Sequence, residues 1–267
     1  MLETVERRIR VEHIMGTAIS IDLRDAAVDD GLIEMAFDWL RKVDASFSLY
    51  KPQSEISRLG RGELTVEECR VEVGEVLSLC EDLREETQGV FNAWLCRSDG
   101  RLDPSGVVKG WAVERAAGIL QRGGARNFCV NAGGDVVSRG EPEPGRAWRI
   151  GIRHPVQAGA VAGVVHAHDL AVATSGAYER GDHIVDARTG IPSRALLSLT
   201  VAGPSLTLAD AYATAGFAMG DAGVEWVAGR PGYAPFAVTA SGRVRYSDAF
   251  ADLLVSGDTS RSRPSER

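Results

Sequence analysis

The sequence of 267 residues has no apolar run approaching the length of a transmembrane helix. Its charged first ten residues are not followed by the apolar segment of a secretory signal. These absences predict a cytoplasmic protein with no membrane span. Cysteine is scarce: Cys69, Cys80, Cys96 and Cys129 form no C-x-x-C pair and have no partner at zinc-finger spacing. The expectation for them is structural thiols rather than metal or redox chemistry. Basic stripes are also missing, and the net charge of −7 argues against nucleic-acid binding. There is no internal repeat and no long linker. The glycine-rich turn Asn131-Ala132-Gly133-Gly134-Asp135 matches neither G-x-G-x-x-G nor a P-loop.

What remains is an ordinary globular composition, 44% hydrophobic and 25% charged, long enough for one large domain. Residues 8–23 alternate in hydrophobicity and predict a strand interrupted near Met15-Gly16. Apolar stripes predict helices over 29–47, 65–86 and 108–121, the last ended by Gly123-Gly124. Short strands are expected over 127–130, 135–138, 148–153, 161–167, 170–173 and 197–202. Helices over 207–219 and 222–228 follow, then a hairpin of 236–239 with 244–246. Strands and helices do not alternate regularly enough for a doubly wound sheet. The predicted class is α+β, a single domain over 1–255 with a mixed or antiparallel sheet and packed helices. Residues 256–267, rich in Ser and Arg, predict a disordered tail.

Two stretches carry the chemistry. Leu208-Ala209-Asp210-Ala211-Tyr212-Ala213-Thr214 places a carboxylate and a hydroxyl four residues apart, on one helix face, where both oxygens can meet a hard cation. The same residues also read as a capping box at Thr207–Asp210 with a back-bonded Thr214. His183-Ile184-Val185-Asp186-Ala187-Arg188-Thr189-Gly190 gathers an imidazole, a carboxylate and a guanidinium in a turn-rich loop. There, Asp186 with Arg188 could equally be an Asx turn with a solvated arginine. Ser105-Gly106-Val107-Val108-Lys109-Gly110 leads into a helix, a setting for phosphate binding or for a solvated lysine. The paired glycines at 133–134 suit either a hairpin or close approach of backbone amides to an anion.

In this order, with Met15-Gly16-Thr17, Tyr50-Lys51-Pro52, Ser54-Glu55-Ile56-Ser57 and Ala173-Thr174-Ser175-Gly176, the segments resemble the ApbE-type FAD:protein FMN transferases over about residues 15–220. The resemblance implies an ApbE-like, T-fold-related domain. It also implies an enzyme that cleaves the FAD pyrophosphate, attaches FMN through a phosphoester to a Thr or Ser of an acceptor protein, and releases AMP. Mg²⁺ would be held by Asp210, Thr214 and the main-chain oxygen of Val108, with Ala213 lining that site. FAD would contact Met15, Tyr50, Val90, Phe91, Asn92, Ser105, Lys109, Trp111 and Ile184, and His183 would be the general base. Val108 stands where the family often has Ala, Asn92 where it has Asp, and Trp111 where it has Tyr. An FAD pyrophosphatase giving FMN and AMP, and a non-enzymatic flavin-binding protein, stay open as alternatives.

Overall fold

A computed structural model of the chain describes residues 7–95, 100–177 and 184–255. Cys96, His183 and the expected tail at 256–267 lie outside the described residues.

Eight strands form one sheet in the order β1-β2-β3-β4-β7-β10-β11-β12. They are β1 Arg8–Ile14, β2 Thr17–Leu23, β3 Phe128–Ala132, β4 Asp135–Arg139, β7 Ala171–Gly176, β10 Leu196–Gly203, β11 Ala234–Thr239 and β12 Val244–Tyr246. Every pairing in it is antiparallel, so of the two sheet types expected the antiparallel one is found. Two more strands, β5 Trp148–Arg153 and β6 Val161–Ala167, pair as a separate hairpin.

The interruption at Met15-Gly16 is a hairpin turn, closed by the Ile14–Thr17 pair. Both turn residues have positive φ, 55° at Met15 and 74° at Gly16, matching the twist of the flanking strands. A methionine in this conformation is uncommon. The paired glycines make a second such turn, with φ of 62° and 103°, closed by Ala132 opposite Asp135. The Asn131 side chain accepts from Gly134 N, so this is a hairpin rather than an anion cradle.

Alternation along the strands separates two apolar layers. On one face Ile19, Ile21, Val130, Val137, Ala173, Leu199 and Val201 pack under helices α1 Gly31–Phe47, α4 Ser105–Arg122 and α5 Leu206–Met219. On the other face Val136, Val172, Phe236 and Val238 pack against Trp148, Ile150 and Val165 of the β5–β6 hairpin and Phe250 of the short helix α7 Asp248–Ala251. The fold is α+β.

The helix expected over 65–86 is broken. A 3₁₀ turn, Val66–Glu68, precedes α3 Val71–Glu86. Thr65 and Glu68 cap that turn reciprocally, which draws the chain off the helix axis before Cys69 and Arg70. Helix α2, Glu55–Gly60, was not anticipated; Ser54 caps it by accepting from Ser57 N at 3.1 Å. Helix α6 is Asp221–Ala228. Burial pushes the Cys129 thiol up to about 12, in keeping with a structural thiol.

Candidate active site

The site begins where α4 crosses α5. Gly106 and Gly110, one turn apart on α4, face Thr214 and Asp210, one turn apart on α5. A Cβ on Gly110 would lie 2.5 Å from the Leu206 carbonyl and 2.8 Å from the Asp210 Cβ. On Gly106 it would lie 2.9 Å from the Phe91 ring and 3.2 Å from the Thr214 methyl. Only glycine lets the two helices approach this closely.

The approach brings backbone to carboxylate. Gly110 N donates to Asp210 Oδ2 at 2.9 Å, and Asp210 is 3% exposed. Asp210 is therefore no helix cap. The N-cap of α5 is Ser205, and Glu114 of α4 accepts from Ser205 Oγ, Thr207 N and Thr207 Oγ1. The capping box read at Thr207–Asp210 is thus replaced by a carboxylate 93 residues distant in sequence. Thr214 Oγ1 lies 3.2 Å from Ser175 Oγ of β7, tying the helix hydroxyl to the sheet.

Lys109 extends between two buried carboxylates. Its Nζ is 2.6 Å from Asp135 Oδ2 and 3.9 Å from Asp210 Oδ1. Asp135 opens β4 directly after the glycine hairpin, and its Oδ1 accepts from Thr174 N at 3.0 Å.

Lys109, Asp210, Thr214 and Ser175 floor a cleft of about 860 Å³, at the upper end of the range for small-molecule sites. The first turn of α4 opens into it at Ser105 and Gly106. Asp103 stands before that turn and accepts from Ser105 N. One wall is the turn after α3: buried Thr87 donates to Leu83 O and accepts from Phe91 N, which sets Phe91 into the cleft. A strap of two short strands, β8 Val185–Asp186 and β9 Ile191–Pro192, is tied to this turn by Ala187 N donating to Val90 O at 3.0 Å. Asp186 accepts from Arg188 N, forming the Asx turn, and pairs with the Arg188 guanidinium, which holds its carboxyl below the usual value.

A model of the ApbE family matches residues 15–97 and 94–236. The chain belongs to the ApbE family. Among relatives, an Escherichia coli protein named FAD:protein FMN transferase is 32% identical over 168 residues, 58% of this chain and 48% of that protein. One of the same name from Vibrio cholerae is 36% identical over 130 residues, 45% of this chain and 39% of that protein. The matched part thus spans less than half the length of either relative. A Chlamydia trachomatis protein of that name is 29% identical over 275 residues, 80% of this chain and 82% of that protein. The fold is that of the flavin transferase ApbE from Vibrio cholerae, with a TM-score of 0.80 at 24% identity over 94% of this chain and all of that one. The ApbE protein of Thermotoga maritima gives 0.83 at 23% identity over 93% of this chain and 99% of that one.

Of the residues expected at the site of an ApbE protein, Met15, Tyr50, Val90, Phe91, Asn92, Ser105, Val108, Lys109, Ile184, Asp210 and Thr214 all line the cleft. Trp111 does not. It lies 4% exposed in the core, with its ring centroid 5.4 Å from Trp39 and 5.7 Å from Phe47, because α4 turns that position toward α1. Ala213 is fully buried and away from the cleft wall, since the face of α5 that carries Asp210 and Thr214 continues to Ala218 instead. His183 is outside the described residues; its chain neighbour Ile184 lines the cleft. Neither the pairing of Asp135 with Lys109 nor the role of Thr87 is evident from the sequence patterns. An aspartate directly after a Gly-Gly turn, at the head of an apolar strand, was the available signal for the first.

Among the described residues, no three His, Cys, Asp or Glu side chains group as a metal cluster. A cation at the α4–α5 crossing would instead rest on few protein oxygens. The buried Asp210 carboxylate, the Thr214 hydroxyl and the Val108 carbonyl, with its second lone pair, are a hard-oxygen set of the kind Mg²⁺ takes while keeping positions for water and phosphate. The residues present fit such an ion. Among the described residues no helix is long and apolar enough to cross a membrane.

Proposed function

We propose that this chain is a Mg²⁺-dependent FAD:protein FMN transferase. It moves FMN from FAD to a Thr or Ser hydroxyl of an acceptor protein and releases AMP. The observation that carries the reading is the glycine-lined crossing of α4 and α5, which sets Asp210, Thr214 and Lys109 together on the floor of a cleft of about 860 Å³. The names of the relatives supply the substrate class.

The chain's own groups divide the work. Lys109 faces the pyrophosphate, where negative charge builds during phosphoryl transfer. Asp210, Thr214 and the Val108 carbonyl would hold Mg²⁺, which would supply charge neutralisation to the pyrophosphate. Met15, Phe91 and Ile184 give apolar contact to the planar rings, and Tyr50, 87% exposed, lies at the mouth. In the reaction the acceptor oxygen bonds to the FMN phosphorus and the bond to the AMP phosphate breaks. The hydroxyl proton passes to His183 as general base, and AMP leaves with the bridging oxygen.

The test is incubation with FAD, Mg²⁺ and an acceptor domain bearing a modifiable Thr, read by denaturing mass spectrometry. An FMN adduct with one AMP released per adduct is expected. Free FMN and AMP with unlabelled acceptor would replace this reading by hydrolysis, and intact FAD would replace it by binding alone.

A further inference from the structure

We infer that Asp135 is a positioning residue whose task is to hold the Lys109 ammonium against the sheet and so keep Asp210 available to the cation. The inference rests on the cation site proposed above. Asp135 does not line the cleft, and it acts through Lys109.

Three observations carry it. First, Asp135 and Asp210 are the two carboxylates that are nearly fully buried among the described residues, at 1% and 3% exposure, and one ammonium lies between them. Second, the sharing is unequal: Lys109 Nζ is 2.6 Å from Asp135 but 3.9 Å from Asp210. Coulomb attraction at low effective dielectric makes a charge shared this way belong to the nearer partner. Third, Asp135 is fixed from behind. Its Oδ1 accepts from Thr174 N, its strand position is set by the Gly133-Gly134 turn, and Thr17 packs where a Gly133 side chain would go, 2.5 Å from that Cβ position. The carboxylate therefore cannot follow the lysine toward Asp210.

Without the Asp135 charge, the ammonium would turn to Asp210, the other buried carboxylate near it among the described residues, and compete there with a divalent ion. In this site a lysine that binds phosphate would otherwise inhibit the metal it works beside. Asp135 resolves that conflict by giving Lys109 a counter-ion on the sheet, 2.6 Å from its ammonium.

The test is direct Mn²⁺ binding, as a paramagnetic surrogate for Mg²⁺, measured by electron paramagnetic resonance on the whole chain without FAD. Asp135→Asn keeps an acceptor for Thr174 N and removes the charge. It is expected to weaken Mn²⁺ binding by about tenfold or more. Asp135→Asn combined with Lys109→Met is expected to regain wild-type affinity, because the competitor is gone. A purely structural role for Asp135 would lower the melting temperature and leave Mn²⁺ affinity unchanged in the single variant. That result, or failure of the double variant to recover, overturns the inference. Should Asp135→Asn not fold, Lys109→Met alone decides: it is expected to bind Mn²⁺ at least as tightly as wild type, and weaker binding overturns the inference. Absence of saturable Mn²⁺ uptake by the wild-type protein would instead overturn the cation site itself, and this inference with it.

Discussion

The two faces of the eight-stranded sheet are built from the same alternating strands yet bury different chemistry. The face under the β5–β6 hairpin holds aliphatic and aromatic side chains, with hydroxyls such as Thr174 and Thr200 bonded to each other at 2.8 Å. The face under α1, α4 and α5 holds a larger apolar core into which Asp135, Lys109 and Asp210 bring charge. Burying a charge is costly unless it is paired and hydrogen-bonded. The hairpin face thus serves stability, whereas the helical face gives up some of it, beside the cleft, to hold charge in fixed positions.

The contrast can be broken from either side. The largest expected effect is on the helical face. Asp210→Asn keeps an acceptor for Gly110 N but removes the charge, so Mg²⁺-dependent turnover should fall by about two orders of magnitude or more while the fold survives, checked by steady-state AMP release alongside circular dichroism. On the hairpin face Phe236 is fully buried and packs 5.2 Å, ring to ring, from Phe250. Phe236→Ala should cost about 3–5 kcal/mol of stability by denaturant unfolding, with no change in the Mg²⁺ concentration that half-saturates the remaining activity. Gly110→Ala joins the two effects. Its Cβ must displace the Leu206 carbonyl or Asp210, so about 1–3 kcal/mol of stability should be lost together with metal affinity. Retained metal affinity there would show that the close helix crossing serves packing alone.

How far these features could be read from the sequence differs between the faces as well. Period-two and helical patterns mark nearly every strand and long helix, because those signals are local. The break before α3 escapes the pattern, since the capping of Thr65 and Glu68 overrides an apolar stripe that runs on. At the site, Asp210 and Thr214 are visible as a pair because one helix carries both. Their partners are not: Gly110 is 100 residues from Asp210, and Glu114 is 93 from Thr207. Trp111 and Ala213 sit in motif segments yet point away from the cleft, because one helical segment faces several directions and only packing decides which faces the ligand.

The smallest expected effect concerns the strap. The Arg188 guanidinium holds the Asp186 carboxyl low, so this pair supports the fold above the ordinary aspartate pKa, and its support is lost as pH falls through the lowered native value. Arg188→Met should therefore melt at a slightly lower temperature than wild type at pH 7, with the gap closing below about pH 4. A gap that persisted at acid pH would assign Arg188 to packing against Gly89 instead, where its side chain already lies 3.5 Å from a Cβ position.

As proposed, the α4–α5 crossing would work as a metal-dependent flavin transfer site. The most direct measurement is intact-mass analysis of an acceptor domain after incubation with FAD across a Mg²⁺ titration, with wild-type protein and with Asp210→Asn. The expected result is an FMN adduct that appears with Mg²⁺, disappears with chelator and is nearly absent with the variant. An adduct formed equally well by both proteins, or in the presence of chelator, would contradict it.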